Sequence, residues 1–569
     1  MPPEPARTGP GPASAAQADG FAAEGSPANE LRTDGGRIDE ARADEGRADE
    51  LQSGGGLAEA RRSGRSQGER TDAGREDAEA RHVEAGLASL LRLAETLEAA
   101  GDADGAQKAC LQALRNRPDD PRLLLACGIL FARTGHRSAA CNVTERALAL
   151  APGMAEAHLM LGRLRLEQPD PQAARDCFET ALRLAPGLAE AHKGLGAALD
   201  ELGARSAARR HWRLGYGGQP LVRWPYRGPA GSGERPPRVL LLCSAGGGNV
   251  RARLFLDDRV FAVSAIATDF WPPGTALPSC DLIVNAIGDA DLCAPALRRA
   301  ARILRTAGVP VVNRPEAVLR TGRLENARRL GRLDGVVTPA MARLERPVLL
   351  GPDGPASVAA AGLRFPLLLR APGFHTGQHF VSVPEASALA AAAAALPGRH
   401  LLGIERLDAS GPDGLSRKYR VMLVGGRLYP LHLAISRDWK VHYATSDMES
   451  DAALRDEERV FLRDMPGTLG AGAMAALGAI AAQLGLEYGG IDFALDRAGR
   501  VILFEANATM AIVPPADGAL WDYRRAATTR VNAAVRGLLA AMASPVPGPV
   551  EPAAGSQACP RPARPLLPA

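Results

Sequence analysis

The sequence predicts a multidomain chain: an all-α repeat solenoid, then an α/β region, then an α+β region, between a disordered N-terminal segment and a disordered C-terminal tail. Three observations carry this. The 569 residues exceed what one core organises at about 150 residues per domain. A 34-residue period runs through residues 84–216, the mark of a stacked repeat. From about residue 237, apolar runs of strand length alternate with helical patterns and glycine-rich turns.

Composition narrows the function classes. Apolar residues make up 46% and charged residues 23%, both ordinary globular values. A formal charge of +4 gives no reason to expect nucleic-acid or membrane-surface binding. Only four of the 68 basic residues are lysines (Lys108, Lys193, Lys418, Lys440), so an arginine in a lysine's place reflects chain-wide usage as well as chemistry. The eight cysteines include no C-x-x-C pair, which argues against a zinc site or a disulfide framework. The N-terminus lacks an apolar signal region and no run of about 18 apolar residues occurs. The expectation is a cytoplasmic chain with no membrane span.

Residues 1–83 are rich in Gly, Ala, Arg, Asp and Glu and nearly lack branched or aromatic residues. They cannot bury enough surface to offset ordering entropy, and are read as disordered low complexity.

The period in 84–216 shows in several registers at once. Pro118, Pro152 and Pro186 are 34 apart, as are Gly128, Gly162 and Gly196, and Ala106, Ala140, Ala174 and Ala208. Each unit reads as two helices joined by a turn, with the alanine where helices approach closely. Ala185-Pro186-Gly187-Leu188-Ala189-Glu190-Ala191-His192, followed by Leu195-Gly196, resembles the tetratricopeptide repeat. The resemblance implies a concave surface for a protein or peptide partner. A short stack that caps the next domain or self-associates is the alternative.

Residues 217–236 are rich in Gly and Pro and read as a linker. The region 237–315 opens with the strand Arg238–Cys243 running into Gly246-Gly247-Gly248-Asn249. The spacing is not that of a dinucleotide-binding loop, so the glycines are placed at the C-terminal edge of a parallel sheet, where such folds hold ligands. Residues 545–569 are a proline-rich tail, read as disordered.

The chemistry is concentrated in 316–544. Gly489-Gly490-Ile491-Asp492-Phe493-Ala494-Leu495 and Val501-Ile502-Leu503-Phe504-Glu505-Ala506-Asn507 flank an Asp-Arg-Ala-Gly turn and form a hairpin. Glu505 and Asn507 share a face, with Asp492 almost level on the partner strand. Three converging oxygen donors suit Mg²⁺ bridging nucleotide phosphates. Upstream, the strand ending at Arg370 leads into Gly373-Phe374-His375-Thr376-Gly377, a basic group beside a loop whose N–H groups can cover polyphosphate. Lys418 and Arg420 point to one side of a strand that turns at Gly425-Gly426. With a strict two-residue turn, His432 faces away from Arg420 unless a bulge intervenes. His432, Asp438, Lys440 and His442 are candidate contacts for a second substrate, or structural polar residues.

In this order the features resemble the ATP-grasp superfamily over residues 236–545. The resemblance implies that Arg323, Arg370, Gly373, His375, Thr376, Gly377 and Glu405 bind ATP. It further implies that Asp492, Glu505 and Asn507 hold Mg²⁺ and that the catalytic arginine is Arg420. Arg323 and Arg370 stand where the family usually has lysines, and Arg remains a forked phosphate donor. The implied activity is that of an ADP-forming ligase. It activates a small-molecule or peptide carboxylate as an acyl phosphate for attack by an amine or thiol, while the repeats bring in a partner. The alternatives are a repeat scaffold whose ATP-grasp domain binds nucleotide without turnover, and a phosphotransferase or carboxylase on the same fold.

Overall fold

The computed structural model describes residues 86, 89–98, 102–168, 170–218, 220–228, 235–374, 377–441, 446–515 and 519–544. The two segments read as disordered, 1–83 and 545–569, lie outside the described residues.

The first part is a run of helices: α1 (89–98), α2 (Ala103–Asn116), α3 (Pro121–Arg133), α4 (Arg137–Leu150), α5 (Ala155–Glu167), α6 (Pro171–Leu184), α7 (Ala189–Glu201) and α8 (Arg205–Gly217). Their starts are written in the sequence. Asp102, Asp120 and Asp170 accept from backbone N–H groups of the first turns of α2, α3 and α6, and Pro121 and Pro171 occupy positions where no N–H is needed. The 34-residue period has a packing cause. Gly128, Gly162 and Gly196 each receive a side chain from the following helix, namely Thr144, Phe178 and Trp212, which are themselves 34 apart. A Cβ on these glycines would lie 2.6, 2.7 and 2.3 Å from those side chains. Ala106, Ala140, Ala174 and Ala208 are fully buried at the same helix contacts.

The second part is a five-stranded sheet in the order β1-β3-β2-β4-β5. The strands β2 (Arg238–Cys243), β3 (Ala262–Ala267), β4 (Leu282–Asn285) and β5 (Val311–Val312) run parallel, with α9 (Ala294–Ile303) between β4 and β5. β1 (Leu221–Arg223) adds an antiparallel edge to β3, which corrects the reading of 217–236 as linker alone. The stretch between Pro220 and Pro225 is too short to show strand alternation. The chain leaves β2 toward β3 on one side and β4 toward β5 on the other. The loops 244–249 and 286–292 therefore meet at the carboxyl ends of the strands, the edge where open α/β sheets hold ligands; Val250 N–H donates to Ala286 O at 2.7 Å and Gly288 N–H to Gly248 O at 2.9 Å.

After α10 (Pro315–Leu319), α11 (Arg323–Leu330) and β6 (Val336–Val337) come two further sheets. An antiparallel one has the order β7-β10-β8-β9, from β7 (Met341–Glu345), β8 (Leu367–Arg370), β9 (Phe380–Val383) and β10 (His400–Glu405). One face is covered by α12 (Arg346–Leu349), α13 (Gly354–Ala360) and α14 (Leu389–Ala394) around Leu349, Leu367, Leu369 and Leu401. The other sheet has the order β12-β11-β13-β14-β6, from β11 (Ser416–Val424), β12 (Arg427–Ser436), β13 (Tyr488–Leu495) and β14 (Val501–Asn507). Tyr419, Val421 and Phe493 pack on α15 (Ala452–Arg463) and α16 (Met465–Leu484), while Met422, Val424 and Tyr488 face α17 (Arg525–Ala543). By length and composition α16 would also be apolar enough to cross a membrane. Its Leu469, Ala473, Leu477, Ile480 and Leu484 line the core instead.

Asn313 joins the parallel sheet to this third sheet. It adopts a left-handed φ of 59°. Its N–H donates to Glu487 Oε2 at 2.6 Å and its Nδ2 to Tyr488 O at 2.8 Å. Its Oδ1 and main-chain oxygen accept from Tyr488 N–H at 3.0 Å and Asn285 Nδ2 at 2.9 Å. Asn is among the few residues that enter this conformation at low cost, and every polar atom gained is satisfied.

Candidate functional site: a charged row across four strands

Two β-bulges shape the site. Between β11 and β12 the register shifts at Arg420/Val421: Val421 pairs with Pro430, Arg420 with His432, and Leu431 is the extra residue. Between β13 and β14 it shifts at Asp492/Phe493: Phe493 pairs with Leu503, Asp492 with Glu505, and Phe504 is extra. Arg420 also pairs with Asp492. Directly paired residues project to the same face, so His432, Arg420, Asp492 and Glu505 form one row across four adjacent strands. Asn507 pairs with Gly490 one step along that face.

The row is held by ion pairs. Arg420 donates Nε and Nη2 to the two oxygens of Asp492 at 2.6 and 2.7 Å, and Lys418 Nζ lies 3.6 Å from Asp492 Oδ2. Burial alone would raise the Asp492 pKa, but Arg420 and Lys418 overcome it and hold the carboxyl well below the usual range. For His432, burial and then the Arg420 charge push the pKa well below its ordinary value, so the ring is neutral at pH 7. Arg323, at the start of α11, donates Nη2 to Glu505 Oε1 at 2.5 Å and lies 3.4 Å from Asp291 Oδ2. Asn507 donates Nδ2 to Glu505 at 2.8 Å, while its Oδ1 accepts from Thr509 N–H and Oγ1. Asn326 ties α11 to the end of β14 through Ala506 O at 2.5 Å.

Arg370 projects from β8 with Nη2 donating to Phe374 O at 2.5 Å. Its buried Nε has no acceptor among the described residues. Burial, and then neighbouring Arg323, lower its pKa to about 10. An uncompensated buried donor of this kind marks a place for an anion. The cleft face of the second sheet continues from Arg370 with Leu368, Leu402, Ile404, Met341 and Phe380, as the register of β7 to β10 requires. A shallow opening lies beside Arg323 and Glu505 and reaches Thr338 and Met341.

The remaining candidates are placed as follows. Glu405 ends β10, and its Oε2 accepts Ala340 N–H at 2.8 Å. Gly373 and Gly377 have φ of 86° and 75°, which only glycine adopts readily. His375, Thr376 and His442 lie outside the described residues. Asp438 accepts Lys440 N–H at 3.1 Å within its own turn, and Lys440 Nζ reaches Phe380 O at 3.3 Å. Lys440 therefore leans on the start of β9. Sequence reasoning missed Asp291, Asn326 and Thr509. Asp291 arrives from the parallel sheet, and the loop before it comes close because Gly288 lacks a Cβ, which would lie 2.9 Å from Ala508 backbone.

The donor set can be weighed against a bound nucleotide and metal. Among the described residues no group of three or more His, Cys, Asp or Glu side chains is gathered for an ion. Asp492, Glu505 and Asn507 are hard oxygen donors of the kind Mg²⁺ takes. Presenting the Asn507 oxygen beside Glu505 requires rotating its amide. Arg323, Arg370, Lys418 and Arg420 supply four cations, and the unpaired Arg370 donor fits a polyphosphate.

Residues 155–187 match the tetratricopeptide repeat. The match spans the helix pair α5 and α6. Solved structures that the chain resembles include MamA, at 21% identity over 23% of this chain and 75% of that one, with a TM-score of 0.22. PilF of Pseudomonas aeruginosa gives 20% identity over 23% of this chain and 60% of that one, also at 0.22. A thermophilic tetratricopeptide repeat protein of Thermus thermophilus gives 21% identity, with 23% and 73% covered and a TM-score of 0.21. No curated protein matches the chain.

Proposed function

We propose that the chain is an ATP- and Mg²⁺-dependent ligase of ATP-grasp type, forming an acyl phosphate that an amine or thiol attacks, with the repeats engaging a protein or peptide partner. The observation that carries the reading is the alignment of Arg420, Asp492 and Glu505 by two bulges beside the unpaired donor of Arg370. Phosphoryl transfer needs positioned groups and neutralised charge more than covalent chemistry from the protein. Arg323, Arg370 and Arg420 would hold the phosphates. Asp492, Glu505 and Asn507 would hold Mg²⁺, which supplies charge neutralisation. The carboxyl edge of the parallel sheet, joined to the row through Asp291, would receive the acceptor. The repeat region supports a protein-interaction role.

A second reading has its own observation. Asp492 and Glu505 are already neutralised by Arg420 and Arg323, as a nucleotide-binding scaffold without turnover would permit. Calorimetry with a non-hydrolysable ATP analogue on the full chain, with and without Mg²⁺, and ADP release with carboxylate and amine mixtures, separate the two. The ligase reading expects Mg²⁺-dependent binding that Glu505→Gln loses, and ADP release. Binding that ignores Mg²⁺ and Glu505→Gln, without ADP release, would establish the scaffold.

A further inference from the structure

Arg323 is held between two carboxylates that come from different sheets. Its Nη2 donates to Glu505 Oε1 at 2.5 Å, and its Nη1 donates to Asp291 Oδ2 at 3.4 Å. The arginine side chain is 13% exposed, against 34% for Asp291 and 25% for Glu505. One guanidinium therefore serves a tight pair and a loose one, and the loose partner is the better solvated. Its fork of N–H donors can exchange the closer partner by a small rotation.

Asp291 is fixed in place by the backbone around it. Asp289 Oδ1 accepts the N–H groups of Asp291 and Leu292, both at 2.8 Å, and Gly288 N–H donates to Gly248 O at 2.9 Å. Asp291 Oδ2 also accepts Arg323 N–H at 3.2 Å, and a Cβ on Gly322 would lie 2.8 Å from its Oδ1. Gly322 is the N-cap of α11 and has no side chain to offer, so Asp291 supplies the cap from the parallel sheet. The carboxylate is anchored by these contacts whether or not the guanidinium is close.

We infer that Asp291 is a positioning residue that draws Arg323 away from Glu505 and so frees Glu505 Oε1 for a divalent cation. This rests on the reading of Asp492, Glu505 and Asn507 as metal donors, and it removes the obstacle that Glu505 already has a counter-ion. The guanidinium and a cation compete for the same oxygen. With Asp291 in reach, Arg323 keeps a counter-charge after leaving Glu505, so the exchange strands no buried charge. Without that carboxylate Arg323 stays on Glu505. Asp291 touches neither nucleotide nor metal in this assignment and acts through Arg323 alone.

The test uses the full-length protein, a non-hydrolysable ATP analogue and calorimetry at a series of Mg²⁺ concentrations. Asp291→Asn keeps an acceptor for Arg323 N–H and removes only the charge. It should raise the Mg²⁺ concentration that half-maximally tightens analogue binding about tenfold or more, the scale of losing a group that orients a metal ligand. Asp291→Glu should keep the wild-type Mg²⁺ dependence. In an Arg323→Met background Asp291→Asn should have no further effect on that dependence, because the competing cation is gone. Wild-type Mg²⁺ dependence in Asp291→Asn, or an effect that persists in the Arg323→Met background, would overturn the role of Asp291 and leave the metal reading standing. No binding by the wild type, or binding that ignores Mg²⁺, would overturn both. A crystal structure of the wild type with the analogue and Mg²⁺ decides the matter if a variant fails to fold. Arg323 should then lie about 2.8 Å from Asp291 and be detached from Glu505, and an arginine still paired with Glu505 would refute the exchange.

Discussion

Asp492 and Glu505 stand directly opposite each other on β13 and β14, and a regular hairpin would not place them so. Continuing the register from Leu495 and Val501 without a shift would set Asp492 against Phe504 and turn Glu505 to the opposite face. The extra residue aligns them. The same device on the neighbouring pair of strands brings His432 opposite Arg420.

His432 makes folding sensitive to mild acid. Its folded pKa lies below the ordinary value of 6.5, depressed first by burial and then by Arg420, with Lys418 and Arg524 adding to the effect and Asp492 opposing it. Below pH 6.5 the unfolded chain binds a proton that the folded chain refuses, so stability falls as pH drops through that window. Replacing the ring by an uncharged amide in His432→Gln removes this slope. Urea titrations at pH 7.5 and 5.5 should show the wild type losing about 1 kcal/mol more than the variant. Equal losses would show that His432 is charged in the folded state.

Glu458 and Arg524 form a pair with side chains only 0% and 4% exposed. Glu458 also accepts Leu433 N–H at 3.1 Å and the Tyr523 hydroxyl. Glu458→Gln removes the carboxylate that faces the buried guanidinium and should cost about 3–5 kcal/mol in urea denaturation. Leu433 follows the bulge residue Leu431 by two positions, so its amide should also exchange faster. A loss under about 1 kcal/mol would mean that the pair is solvated in solution.

Phe178 is gripped by two glycines. A Cβ at Gly162 or Gly194 would lie 2.7 or 2.4 Å from its ring, which is fully buried. The ring has nowhere to move, so Gly162→Val should destabilise the repeats by about 1–3 kcal/mol. Hydrogen exchange across 155–201 should rise while affinity for an ATP analogue stays at the wild-type level. Unchanged exchange would mean the helices separate freely enough to admit a side chain.

The repeats were legible because their period is a packing period: the glycines recur where Thr144, Phe178 and Trp212 enter. The hairpins around Gly425-Gly426 and Asp496-Gly499 were equally plain, since turn chemistry and apolar runs are local signals. The bulges were not. Strict alternation from Gly425-Gly426 sends His432 to the wrong face, and what accompanies the actual register, such as Glu458 on Leu433 N–H, comes from a helix 25 residues further along. Asp291 was missed for a similar reason, since it reaches Arg323 from a different sheet. The strand Leu221–Arg223 was hidden by flanking prolines and glycines.

The four hydrogen bonds of Asn313 decide where the molecule can hinge. They fasten the end of β5 and the start of β13 into one body. The loop carrying Asp291 and the row at Asp492 then keep a fixed spacing. Among the described residues the sheet carrying Arg370 shares no strand pairing with that body and reaches it in sequence through residues 338–340 and 406–415. Any displacement of that sheet relative to the body has to bend at those two connections.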